Sequence, residues 1–326
     1  IKINPYLLEK GLLQRTIWQK FKLDKEFFKQ DCDILFIPGS IYTGKNKNFV
    51  TIHQNILPFD WKEIKRYGLS FFSLKLIILR YFQSRTFKNA KGIIFLSKHS
   101  KNIIENLIDI SKTRKSVIHH GSNEFFQNSP KNQKDIKTFN FKSPFKIIYV
   151  STIDFYKHQT NVIEAVGKLR DDTGWQINLD FVGPANKKAL KKFNQKVKLW
   201  DPKTEWIKYR GQLPYNNISE FYHNADLSLL ASSSETFGMV LLESMASGLP
   251  IACSNYGPFH EILGEAGVYF DPEDPMSICN SLKKLINSPE LRSKNANIAY
   301  EKSKKFTWTE SSNKTFELIT SLSEKS

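Results

Sequence analysis

Ser232-Ser233-Ser234-Glu235-Thr236-Phe237-Gly238-Met239-Val240-Leu241-Leu242-Glu243-Ser244-Met245-Ala246-Ser247-Gly248-Leu249-Pro250 places two carboxylates around a turn and the first half of an apolar helix. The serines and Glu235 read as a loop and Gly238 permits close backbone approach. Met239 to Ala246 reads as a helix, which Gly248 and Pro250 stop. A helix N-terminus offers unpaired N–H groups and partial positive charge, which suit a diphosphate. Carboxylates on either side suit hydroxyl-rich groups. The combination describes a nucleotide sugar. The same spacing also fits a helix cap followed by a surface glutamate. Against that stands Glu243, set among Val240, Leu241, Leu242, Met245 and Ala246. A carboxylate in so apolar a helix needs a partner, and ribose hydroxyls would serve.

Working outward, Leu227 to Leu230 reads as the strand that delivers this segment, and Ile251 to Ser254 as the strand that follows it. Upstream, Phe145 to Ser151 is a strand, Asp154 to His158 a polar loop, Thr160 to Leu169 a helix, and Ile177 to Val182 a strand ending at Gly183-Pro184. Lys157 lies at a strand's C-terminal edge, where an ammonium reaches phosphate oxygens as a point charge. A solvated lysine is the ordinary alternative. A similar alternation fills the first part of the chain, with strands at Ile34–Ile37, Phe49–Ile52, Gly92–Ser97 and Ser116–Gly121. Such alternation implies α/β domains with parallel sheets. His53 follows its strand at the edge where open α/β sheets bind ligands, so its imidazole is a candidate to exchange a hydrogen bond with a substrate hydroxyl. A structural histidine is the alternative. The polar stretch Gln127 to Lys142, with Pro130 and Pro144 near its ends, places the domain boundary near Phe141.

At 326 residues the chain is long for one core, which favours two domains. The formal charge of +16 predicts attraction to anions without choosing among nucleic acid, anionic lipid and phosphorylated small molecules. Cys32, Cys253 and Cys279 form no CxxC pair, which argues against a disulfide framework or a zinc site and points to a reducing cytoplasm. Asp31-Cys32-Asp33 precedes a strand instead of following one, so it reads as structural capping, with divalent-metal binding as the alternative. No run is long enough for a membrane span, and the first residues lack a signal peptide's basic and apolar regions. The helix-like opening at Tyr6 to Leu13, without an initiator methionine, suggests that the natural start is missing.

Between Trp61 and Lys91, eight Lys and Arg residues stand against Glu63 alone, a balance of +7. Phe71, Phe72, Leu74, Leu76, Ile77, Ile78, Leu79, Tyr81 and Phe82 are interleaved with them, so apolar residues extend more than halfway around a helix. One side can pack on a sheet while another lies in an anionic membrane interface. A core helix with a solvated basic face is the alternative. No recognisable nucleic-acid motif accompanies the charge, so nucleic acid is not an expected partner.

Glu235 to Glu243 fits the E-x7-E signature, and Ala246-Ser247-Gly248-Leu249-Pro250-Ile251 the A-x-G-x-P-V pattern, of the retaining glycosyltransferases of family 4. Ala225-Asp226-Leu227, Glu261-Ile262, Gly267 and Asp271-Pro272 also fall where that family has them. The chain thus resembles a GT-B-fold enzyme. The resemblance implies an α/β fold of two Rossmann-like domains with parallel sheets flanked by helices. Residues 1–140 would be an acceptor-side domain apparently lacking its first strand, 141–304 a donor domain, and 305–326 a helix crossing back to the first domain. It implies that Glu235 contacts the donor sugar, that Thr236, Phe237, Gly238 and Met239 line the sugar and diphosphate, and that Glu243 holds the ribose. Lys157 would neutralise the diphosphate, and His53 would lie near the reacting sugar. No cofactor and no metal are implied, since the UDP-, GDP- or ADP-linked sugar is a substrate. The acceptor would be a saccharide or lipid-linked saccharide in cell-envelope polysaccharide or glycolipid assembly, handled in the cytoplasm or at the inner face of the membrane.

Two departures stand out. Ser151-Thr152 occupy positions where the family commonly has glycine and arginine, which leaves more of the phosphate's charge to Lys157 or His158. The usual first strand and glycine-rich loop are not found before Ile34, as in an N-terminally truncated chain. A glycosidase also needs two acids, but Glu243 among apolar neighbours suits a ribose clamp better. A sugar-nucleotide epimerase on the same fold and a non-catalytic basic membrane-binding module compete with the transferase reading.

Overall fold

The computed structural model describes residues 12–323, which divide into two compact units, 12–119 with 311–323 and 120–310. In the first, α1 (Leu12–Trp18) runs through a π turn into α2 (Asp24–Lys29). The helical expectation for residues 6–11 lies outside the described residues. Asp31-Cys32-Asp33 forms an exposed turn that closes α2, with Cys32 N–H donating to the Phe27 carbonyl.

Strands β1 (Leu35–Ile37), β2 (Phe49–His53), β3 (Gly92–Phe95) and β4 (Arg114–Val117) follow one another across an all-parallel sheet. Strand β3 is buried throughout, as its unbroken apolar run demands of a strand covered on both faces. Alternate residues serve opposite sides. Phe49, Ile93 and Phe95 pack with Phe87 and Ile104, whereas Val50 and Ile94 pack with Ile118, Leu318 and Leu322 of the last helix. Helices α3 (Trp61–Arg66), α4 (Phe71–Asn89) and α5 (Lys98–Leu107) complete the unit. The basic, aromatic stretch is therefore two helices. It breaks at Gly68, whose φ of +60° suits glycine, and restarts at Ser70, whose hydroxyl caps Ser73 N–H at 3.2 Å.

The second unit runs β5 (Phe145–Val150), α6 (Gln159–Thr173), β6 (Ile177–Val182), α7 (Lys187–Trp200), β7 (Ile207–Tyr209), α8 (Tyr215–Asn224), β8 (Leu227–Leu230) and α9 (Met239–Ala246). It continues with β9 (Ile251–Ser254), α10 (Phe259–Ile262), β10 (Gly267–Phe270), α11 (Pro275–Ile286), α12 (Pro289–Ser303) and α13 (Trp308–Ser323), whose residues from Ser311 group with the first unit. Its sheet has the order β10-β9-β8-β5-β6-β7, and every pair is parallel. The chain builds outward from β5 through β6 to β7, then returns to place β8 on the other side of β5. Sheets with such a reversal bind ligands beyond the C-terminal ends of the strands that flank it, here β5 and β8.

The division between units falls at His119/His120, not near Phe141. Polarity misleads here, because a few anchors hold the polar stretch to the second unit. Phe126 packs with Ile148, Val150 and Tyr222, and Ile136 joins the cluster around Phe145 and Ile147. Asn128 N–H donates to the Ala246 carbonyl at 2.9 Å, and the Ser247 hydroxyl to the Phe126 carbonyl at 3.1 Å.

Candidate functional site

Lys157 and Glu235 come from the two loops that flank the switch point, 78 residues apart in sequence. The first loop follows β5 and contains a 3-10 turn at Phe155–Lys157; the second follows β8. They are joined backbone to backbone, Ser233 N–H donating to the Tyr156 carbonyl at 2.9 Å. His158 Nε2 lies 2.9 Å from Ser233 Oγ, and Ala231 N–H donates to the Tyr149 hydroxyl at 3.1 Å. Across this seam the Lys157 ammonium donates to Glu235 Oε1. Both side chains keep a little exposure, 12% and 22%, so the pair opens to solvent on one side. Burial works against the lysine's charge, but the Glu235 carboxylate and the Tyr156 and Tyr149 rings outweigh it and hold Lys157 protonated well above its ordinary range. Ser234 Oγ, buried next in sequence to Glu235, has no hydrogen-bond partner.

Gly238 stands at the N-cap of α9 with φ +89°, and a Cβ there would lie 2.9 Å from the Phe259 ring. The cap makes no side-chain hydrogen bond, and no acidic residue occupies the first turn of the helix. Its N-terminal partial charge is thus left for another anion. Thr236 and Phe237 are buried. The Phe237 ring sits edge-on to His120 at 5.8 Å and to Phe306 at 6.2 Å. Met239 is half-buried at the start of the helix. Ser151 and Thr152, in place of glycine and arginine, accept hydrogen bonds from Gln159 Nε2 at 2.8 and 2.9 Å.

Glu243 is buried as expected, but its partners are protein groups. Tyr215 OH donates to Oε1 at 2.8 Å and Tyr222 OH to Oε2 at 3.1 Å. Tyr215 is itself walled by Phe125 and Phe126. The two tyrosines lie seven residues apart, two turns on one face of α8. That spacing was the available signal, although nothing local to Glu243 announces it.

Burial lifts the Glu243 carboxyl from its ordinary 4.5 to about 7, against the opposing effect of the tyrosine hydrogen bonds. Between these values the folded protein holds a proton that the unfolded chain has released, so stability falls as pH rises through that window. Glu243→Gln should gain about 2–3 kcal/mol on wild type between pH 5 and pH 8. Urea unfolding at both pH values measures this, and an unchanged difference would show that Glu243 ionises normally.

His53 belongs to the first unit and is placed differently from its sequence expectation. It is fully enclosed by Phe59, Phe87 and Phe95, with ring centroids 5.4–6.0 Å away. Nε2 lies 3.2 Å from the Asn55 carbonyl and Nδ1 has no partner. Burial lowers its pKa to about 4, so the ring is neutral at physiological pH. A residue so enclosed has no surface to offer a substrate. Its position at a strand's C-terminal end suggests a ligand, while two of the rings that close over it, Phe87 and Phe95, come from distant parts of the sequence and join Phe59, six residues on.

Two all-parallel sheets flanked by helices, the second reversed at a switch point, define a pair of Rossmann-like units of the GT-B class. Residues 130–302, just over half of the chain, match the family described as glycosyl transferases group 1, and the chain belongs to that family. It is 28% identical to an uncharacterized glycosyltransferase of Methanocaldococcus jannaschii over 70% of this chain and 59% of that one. It is 31% identical to a sulfoquinovosyl transferase of Arabidopsis thaliana over 31% of this chain and 21% of that one. The chain thus spans about a fifth to three fifths of these two relatives' lengths. In fold it is similar to sucrose-phosphate synthase from Thermosynechococcus elongatus, with a TM-score of 0.75 and 15% identity over 97% of this chain and 79% of that one. It is also similar to Anabaena HepE, solved with UDP and glucose, with a TM-score of 0.68 and 17% identity over 91% and 80% of the two chains.

Proposed function

We propose that this chain transfers a sugar from a nucleotide diphosphate sugar to an acceptor hydroxyl, with the anomeric configuration retained. The observation that carries the proposal is the convergence of Lys157 and Glu235 at the switch point of the second unit. Membership of a glycosyl transferase family supports it, as does a structural neighbour that holds UDP and glucose. Negative charge builds on the departing diphosphate, and Lys157 with the N-terminus of α9 would meet it. A phosphate oxygen would take the acceptor's proton, and Glu235 would orient the donor sugar through its hydroxyls. Backbone groups from Thr236 to Met239 would line the diphosphate. Glu243 would hold the ribose once Tyr215 yields its hydrogen bond. His53 has no step in this scheme.

We place the acceptor among saccharides or lipid-linked saccharides of cell-envelope assembly, on the cytoplasmic side of a membrane. Among the described residues no helix is long and apolar enough to cross one. Melting curves with UDP, GDP and ADP provide the test. At a hundredfold excess over Kd, one of them should stabilise the protein by about 2.7 kcal/mol. No response to any of them, or an inverted linkage in the product, would sink the proposal. A sugar-nucleotide epimerase would use the same donor site. Its product would form without acceptor, which separates the two.

A further inference from the structure

Helix α4 is built inside out. Its buried positions are Ser73, Leu76, Gln83, Thr86 and Phe87, three of them polar, and Gln83 Oε1 has no hydrogen-bond partner. Its large exposed apolar residues are Phe71, Leu74, Ile77, Ile78 and Tyr81. At 100° per residue these five fall on one outward arc, which Arg85 and Lys88 continue toward the helix C-terminus. Leu69, in the turn just before the helix, is fully exposed, and Phe71 is nearly so.

The turn is held in place. Gly68 takes a positive φ, the Ser73 hydroxyl donates to the Gly68 carbonyl at 2.6 Å, and the Tyr67 and Phe72 rings lie 4.6 Å apart. Helix α3 is tied alongside by the Arg80 guanidinium, 5.0 Å from the exposed Trp61 ring. Lys62, Lys65, Lys75, Arg85 and Lys88 are exposed around the apolar arc. The one acidic residue of the stretch, Glu63, is buried and paired with Arg66 at 2.7 Å. Within residues 61–91 the outward face therefore combines apolar and aromatic tips with cations, and the exposed Asp109 faces it only at Lys88, at the C-terminal end of α4.

We infer that this face of α3 and α4 docks on an anionic bilayer surface, with Leu69 and Phe71 entering the headgroup boundary and the lysines pairing with lipid phosphates. Exposed apolar side chains gathered on one helix face and rimmed by charge mark a contact surface. A rim that carries Lys62, Lys65, Lys75, Arg85 and Lys88, with Asp109 facing it at one end, selects anionic lipid as its occupant. The inference takes its purpose from the proposed transfer to a membrane-side acceptor, yet it rests on side chains of the first unit alone.

Flotation of the full chain with phosphatidylcholine vesicles, with and without phosphatidylglycerol, tests it. Binding should require phosphatidylglycerol and weaken as salt is raised. Lys65→Gln with Lys75→Gln and Lys88→Gln should lower partitioning about a hundredfold, and Leu69→Glu with Phe71→Glu should do the same. The glutamine variant keeps the apolar face, so it remains informative if the glutamate variant folds poorly. Nucleoside diphosphate melting shifts should be unchanged in both, so the docking inference and the transfer proposal fail separately. Wild type that ignores both vesicles, or variants that float like wild type, would overturn the inference. A dimer that Leu69→Glu with Phe71→Glu dissolves, without vesicle binding by wild type, would assign the face to a second copy of the chain and equally overturn it.

Discussion

Lys157→Met should lower kcat/KM for sugar transfer by about a thousandfold, whereas Glu235→Gln should bind a free nucleoside diphosphate at least as tightly as wild type. The asymmetry follows from the pairing seen here. The Lys157 ammonium donates to Glu235, so under the proposed reaction a diphosphate would compete with that carboxylate for the same cation. Removing the carboxylate leaves the ammonium to the phosphates. Removing the ammonium leaves Glu235 facing them, one negative charge against another. A charge-assisted hydrogen bond to phosphate contributes about 1.5–3 kcal/mol, and its strengthening on the leaving group adds to that in the transition state. Calorimetric titration of both variants with the free diphosphate, beside steady-state kinetics with the intact donor, separates these effects. Glu235→Gln should lose turnover because the sugar is no longer oriented. Equal weakening of diphosphate binding in both variants would mean that the pair acts as a structural unit only.

Arg292→Met should destabilise the second unit by about 3–5 kcal/mol. Arg292 on α12 has no exposed surface. Its Nε donates to Gln133 Oε1 at 3.0 Å, its Nη1 to the carbonyls of Leu285 and Ile286, and its Nη2 to the Lys134 carbonyl. The Phe145 ring lies 5.4 Å from the guanidinium. One side chain thereby satisfies the end of α11 and fastens residues 133–134 to it. Burial lowers its pKa, yet a guanidinium stays charged at any pH the fold survives. Methionine keeps the aliphatic length and leaves buried carbonyls bare. Lysine should rescue little, because one ammonium cannot reproduce the planar fork. Urea midpoints of the three proteins measure this, and a Met variant within about 1 kcal/mol of wild type would show that water replaces the guanidinium.

The second unit was legible where physical signals are local. The segment from Gly238 to Pro250 folds as its glycines and apolar run require, with α9 at Met239–Ala246. Lys157 reads as lying at a strand's C-terminal edge, and β5 ends seven residues before it. Signals that depend on distant packing were not legible. Glu243 needed a partner, but Tyr215 and Tyr222 supply it from α8. His53 looked available from its strand position, until Phe59, Phe87 and Phe95 closed over it. The stretch 127–142 read as a linker because only Ile136, Phe139 and Phe141 interrupt its polarity. Ile136 is the one of them that is buried, and it anchors the stretch in the core.

The strand pair at the switch point is short, with Cα partners only at Ile147↔Leu227 and Ile148↔Ser228. Lys157 and Glu235 are carried on extensions of that pair and are joined by bonds between the loops themselves. A slip of two residues in β8 would preserve every inward-facing side chain, yet it would carry the carboxylate about 7 Å along the strand. Any exchange of parts with a related chain would therefore have to move the loops after β5 and β8 together. For recombination, the smallest portable unit of this site is two loops and the seam between them, not the signature segment alone.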